Sequence, residues 1–164
     1  MKIAIIFYSF SGNTKRACLF LKDNLSTKNI CVDLIELKPK KEETSFFKQG
    51  LQAFLKKKVE LKEVGFGLEK YDFVVFASGV WAFTITPTLA AYLEKVKNLK
   101  NKKVACFLTF GSGAGSKKAL EALESILREK GAHILFSKNL SGKKTKDKNY
   151  LEENFKSLLE IINF

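Results

Sequence analysis

Five apolar runs alternate with amphipathic stretches from one end of this chain to the other, and that alternation leaves few folds open to it. The runs Lys2–Tyr8, Ile30–Leu37, Asp72–Ser78, Lys103–Thr109 and Ala132–Asn139 read as strands. Ile3–Phe7, Phe73–Ala77 and Val104–Leu108 are almost unbroken apolar segments, the pattern of strands buried on both faces. Ile30–Leu37 admits Asp33 and Glu36 and reads as an edge strand. Between them, Cys18, Leu21 and Leu25 mark one helical face. Phe47, Leu51, Phe54 and Leu55 mark another, followed by the series from Leu89, Leu120 and Leu151. Thr86-Pro87 predicts a cap followed by a first-turn proline, Asn149 with Glu152 predicts a capping pair, and Gly131 closes the fourth helix. Strict alternation implies a parallel sheet covered on both sides. The expected fold is therefore a doubly wound five-stranded α/β sheet of order 2-1-3-4-5. No linker or repeat divides the chain, so residues 1–164 form a single domain. The Phe-rich stripe within the long connection Pro39–Lys70 is expected to pack on the sheet.

The first strand runs directly into Tyr8-Ser9-Phe10-Ser11-Gly12-Asn13-Thr14, which opens the first helix. Unpaired amides and the positive end of the helix dipole make such a corner a holder of phosphate. The hydroxyls of Ser9, Ser11 and Thr14 add donors, and Gly12 lets the backbone approach closely. Gly12-Asn13-Thr14-Lys15 lacks the Gly-Lys-Ser/Thr ending of a nucleoside-triphosphate loop, so the corner suits one terminal phosphate monoester. An ordinary turn capped by Ser11 or Asn13 accounts for one polar residue, not four.

A sheet of this order places its ligand beyond the carboxyl ends of strands 1 and 3, where the loops after strands 1, 3 and 4 meet. Those loops are also the chemically distinctive ones. Ser78–Thr86 carries Trp81, the only tryptophan, beside Phe83. Trp81 suits a platform for a flat aromatic ring, and equally a core anchor folded over a helix. Phe110-Gly111-Ser112-Gly113-Ala114-Gly115-Ser116 resembles a dinucleotide loop only in part. Ser116 replaces its last glycine, and no acid closes the next strand, which ends at Asn139. Its glycines give room for a ring edge, or form a connector with Ser116 as cap. Neither loop holds Asp, Glu, Lys or His, and no catalytic side chain is assigned.

Cys18, Cys31 and Cys106 have no metal spacing and read as small buried hydrophobes; His133 is the only histidine, so no metal site is expected. The net charge of +12 is high, with clusters at Lys38–Lys41, Lys56–Lys58, Lys102–Lys103 and Lys143–Lys148. They lie on different elements without interleaved aromatics. A solvated basic surface is therefore expected rather than a nucleic-acid footprint. No stretch is long and apolar enough for a bilayer span, and Met1-Lys2 leads straight into a strand, so a cytoplasmic location is expected.

The run Ile5–Thr14, with Leu21 at its closing apolar position, resembles the phosphate-loop signature of flavodoxins; Cys18 stands where alanine is usual. Phe46–Phe54, Tyr71-Asp72-Phe73, Val80-Trp81-Ala82 and the third loop extend the resemblance to a bacterial flavodoxin-like subfamily over essentially the whole chain. The resemblance implies a flavodoxin-like fold and non-covalent FMN. It puts the phosphate on Ser9, Ser11, Gly12, Asn13 and Thr14, with Phe10 alongside. Ring contacts would come from Val80, Trp81, Ala82, Phe83 and Thr84 next to Ser78, and from Thr109, Phe110, Gly111 and Gly113. Gly79 replaces a frequent proline and Phe83 stands at a place often small, leaving Trp81 and Phe83 open as stacking partner. The implied role is an electron carrier passing electrons to a redox partner protein, acidic in view of the basic surface. The alternative is an NAD(P)H-dependent FMN or quinone oxidoreductase, and a non-catalytic binding module is the third reading.

Overall fold

The computed structural model describes residues 1–26, 30–41 and 59–163. Strand β1 (Lys2–Phe7) leads into α1 (Asn13–Ser26) and β2 (Cys31–Glu36). After β3 (Phe73–Trp81) come β4 (Thr84–Ile85) and α2 (Pro87–Lys95), then β5 (Lys103–Phe110), α3 (Ser116–Glu129) and β6 (His133–Ser141). A 3-10 turn (Gly142–Lys146) and α4 (Lys148–Asn163) complete the chain. The helix expected around Phe47–Leu55, and the Phe46–Phe54 motif, lie outside the described residues.

The strands pair in the order β2-β1-β3-β5-β6, all parallel, which is the expected order with β5 and β6 as its fourth and fifth strands. Alternation along each strand separates two apolar layers. Ile3, Ile5, Phe7, Val75 and Phe107 face α1 and α4, where Leu21, Leu25, Phe155 and Leu158 cover them. Ala4, Ile6, Val74, Phe76 and Cys106 face α2 and α3, beneath Leu89, Tyr92, Leu123 and Leu127. Phe155 sits at the centre of the first layer, 5.1 Å from Phe107 in an edge-on contact. Burial on both sides is what the unbroken apolar runs required.

Three expectations are corrected. The loop after β3 is a hairpin: β3 continues to Trp81, and β4 returns antiparallel through Val80–Ile85 and Trp81–Thr84 pairs. Alternation had signalled only the parallel core, whereas this pairing depends on the chain reversing at Ala82-Phe83. Thr86 is the N-cap of α2 with Pro87 in the first turn, as expected, although its hydroxyl makes no capping bond. Asp147, not Asn149, caps α4, because its Oδ1 accepts the Asn149 amide at 2.9 Å. Cys31 is exposed at the start of the edge strand, while Cys18 and Cys106 are buried. Burial pushes the Cys106 thiol up to about 12 and the Cys18 thiol well above its ordinary value, so both remain neutral packing groups. No helix among the described residues is long and apolar enough to cross a membrane. No group of His, Cys, Asp or Glu side chains among them is arranged to hold a metal.

Candidate functional site

Because the chain leaves β1 towards β2 and later returns to β3 on the other side, the corners after β1, β3 and β5 share one end of the sheet. In the first corner, Ser9 Oγ accepts the Lys15 amide at 3.1 Å and so caps α1. The Arg16 amide is the first to find a backbone carbonyl one turn back, that of Gly12, at 3.0 Å. The Lys15 amide is taken by Ser9, whereas the amides of Ser11 to Thr14 precede the first such bond and remain available to a ligand. Gly12 turns the chain there with φ of 82°. Thr14, almost fully buried, shares a 2.8 Å hydrogen bond with Thr109 at the end of β5, so the first and third corners are joined through two hydroxyls.

A cleft of about 350 Å³ opens between these corners. The first corner contributes Phe10, Ser11, Asn13 and Thr14, the hairpin Gly79, Val80, Trp81 and Ala82, and the third corner Thr109, Phe110 and Gly111; Thr86 completes the wall. None of these side chains ionises in the physiological range. Trp81 stands edge-on to Phe10, with ring centroids 6.0 Å apart and planes 72° apart. Phe10 is half exposed at the rim. A slightly larger hollow, about 420 Å³, lies at the opposite end of the sheet between Met1, Phe73 and Ile162. The Lys102 ammonium beside it is already engaged with the Tyr71 carbonyl. Size alone favours that hollow; the polar chemistry favours the smaller cleft.

The other residues expected at the site stand just outside the cleft. Ser78 is buried and its hydroxyl donates to the Gly79 carbonyl at 2.9 Å. Thr84 pairs with Trp81 across the hairpin. Phe83 is exposed on one side and rests on Gly115, where a Cβ would overlap its ring. Gly113 accepts a 2.8 Å bond from Ser116 Oγ, a tie within the third corner. Gly79 and Thr86 line the cleft without having been expected there. Thr86 had a signal, a hydroxyl at a strand-to-helix corner, but the following proline gave it the reading of a cap.

The fit of a polar planar cofactor is tested by Thr86. Thr86 lines the cleft, and its Oγ1 is buried with no hydrogen-bond partner. A buried hydroxyl without a partner costs about 1–3 kcal/mol, and a ligand polar atom in the cleft relieves that cost. The amides of Ser11 to Thr14 provide for a phosphate; the apolar faces of Trp81 and Val80 provide for a ring. The donor set fits a phosphorylated flavin.

The model of a family described as NADPH-dependent FMN reductase matches residues 1–146. The chain belongs to this family. It is a flavodoxin-like protein of an FMN-binding group, and FMN is its cofactor. Among solved structures, oxidised flavodoxin 2 from Bacillus cereus is similar at 20% identity, covering 100% of each chain with a TM-score of 0.66. A flavoprotein in complex with FMN from Lactobacillus acidophilus shows 20% identity, covering 90% of this chain and 98% of its own with a TM-score of 0.59. A protein from Bacteroides uniformis provisionally named a flavoprotein shows 18% identity, covering 94% and 97% with a TM-score of 0.72. These likenesses concern the fold. No curated protein matches the sequence significantly.

Proposed function

We propose that this family member is an FMN-dependent electron carrier. Bound FMN supplies reversible uptake and release of electrons. The phosphate ester is held by the amides from Ser11 to Thr14 and by the hydroxyls of Ser9, Ser11 and Thr14. The ring lies against the hairpin residues Val80, Trp81 and Ala82 and the corner Thr109–Gly111, with Thr86 supplying a hydrogen bond to a polar ring or ribityl atom. The partnerless hydroxyl of Thr86, a residue of the cleft wall that also carries Ser11, Asn13, Thr14 and Thr109, is the observation that carries this assignment.

The carrier role is supported by the rim. Phe10 at the rim is 50% exposed and Phe83 at the hairpin tip, just outside the cleft, is 58% exposed, large apolar surfaces of the kind that meet a partner protein. Lys143, Lys144 and Lys146 lie exposed on the turn that packs on α1, so the partner is acidic. The solved structures of similar fold include proteins named flavodoxins. A second reading, an NADPH-dependent reductase of FMN or a quinone, is favoured by the description of the family. Mixing the FMN-loaded protein with NADPH separates the two. The carrier reading expects the flavin absorbance to persist for minutes; rapid bleaching with turnover on a quinone would establish the reductase.

A further inference from the structure

We propose that Arg16 is the counter-charge of the cofactor's phosphate and sets the preference of the site for FMN over its unphosphorylated form, riboflavin. This rests on the FMN reading above. Only two of the 29 basic residues are arginines. Arg128 pairs with Glu124 at 2.9 Å along α3. Arg16 is half-buried and has no carboxylate partner among the described residues. Its guanidinium is instead held by neutral groups. One Nη2 hydrogen goes to Asn13 Oδ1, and Nε donates to Thr145 Oγ1 at 3.4 Å in the turn after β6. Nη1 comes within 3.4 Å of the position a Cβ on Gly12 would occupy, so the fork is laid along the first corner itself.

The turn after β6 is built around this arrangement. Thr145 is buried and anchored by its own 2.8 Å bond to the Gly142 carbonyl. A side chain at Gly142 would come 2.6 Å from Asn13 Nδ2, so only glycine leaves room for the amide that orients Arg16. A partly buried cation gains little from neutral acceptors alone, whereas a phosphate oxygen offers a charge-assisted bond about twice as strong. Guanidinium geometry suits such an anion better than an ammonium does. Both Nη1 hydrogens and the second Nη2 hydrogen are the donors left for it.

Dissociation constants for FMN and for riboflavin, measured on the apo protein and on R16Q and R16K at two salt concentrations, test the assignment. R16Q is expected to weaken FMN at least tenfold, leave riboflavin within twofold, and flatten the salt dependence of FMN binding; R16K should recover part of the loss. Equal weakening of both flavins, or no weakening of either, would overturn the role and leave Arg16 a structural brace of the corner. Should R16Q fail to fold, as read from its apo melting curve, R16K decides: a selective loss for FMN supports the role, and an unchanged ratio of the two constants overturns it. Wild-type protein that binds riboflavin and FMN equally would refute the Arg16 proposal alone, whereas binding of neither would remove the FMN reading on which it stands.

Discussion

At the scale of single residues the site turns on three hydroxyls in different states. Thr86 Oγ1 is buried and unpaired, while Thr14 and Thr109 satisfy one another at 2.8 Å. Removing an unpaired polar group costs the empty protein nothing. Thr86→Val is therefore expected to leave the apo melting temperature unchanged or raised while weakening FMN by about 1–2 kcal/mol, the value of a lost hydrogen bond. Calorimetric titration beside thermal melts checks both halves. Thr14→Val is a different experiment, because it also strands the Thr109 hydroxyl. It should weaken FMN by about 1–3 kcal/mol and destabilise the apo protein. Adding Thr109→Val should restore apo stability without restoring affinity, and a double-mutant cycle reads that asymmetry.

Among the elements, the hairpin β3–β4 is the one built against local preference. Ala82 and Phe83 both take positive φ, 46° and 65°, at a tip where glycine or asparagine is usual. Holding such residues there costs about 1–2 kcal/mol each, offset by Trp81–Thr84 pairing and by the Phe83 ring on Gly115. Ala82→Gly should raise stability by about 0.5–1 kcal/mol, seen as a higher urea midpoint with unchanged slope. The same feature explains what could be read from the chain beforehand. Strands such as Phe73–Ala77 and Val104–Leu108 announce themselves because burial on two faces demands unbroken apolar runs. Ala82-Phe83 carries no turn signal, since its conformation is imposed by neighbours. Thr86 was legible as a helix start, but one hydroxyl cannot reveal whether it caps or contacts a ligand. Arg16 was hidden for another reason: its bond to Thr145 spans 129 positions, and no local pattern marks a side chain oriented from so far away.

For the molecule as a whole, the parallel order β2-β1-β3-β5-β6 brings three corners to one end of the sheet, and of the lysines behind the net charge of +12, Lys143, Lys144 and Lys146 lie exposed on the turn packed on α1. Reduction adds negative charge to a bound flavin, and nearby cations favour it, each screened over a Debye length of about 8 Å at physiological salt. Reversing Lys143, Lys144 and Lys146 to glutamate should therefore shift the midpoint potential to more negative values. A potentiometric titration that finds no shift, or one of opposite sign, would place those charges too far from the ring. The order of strands and the chemistry of the corners make one joint claim, that FMN sits across the switch point between β1 and β3. Titrating the apo protein with FMN while following backbone amide resonances tests it most directly. The account predicts that the amides of Ser11–Thr14, Gly79–Ala82 and Thr109–Gly111 shift together, in proportion to occupancy. Saturable binding that leaves those amides in place and moves others would contradict it.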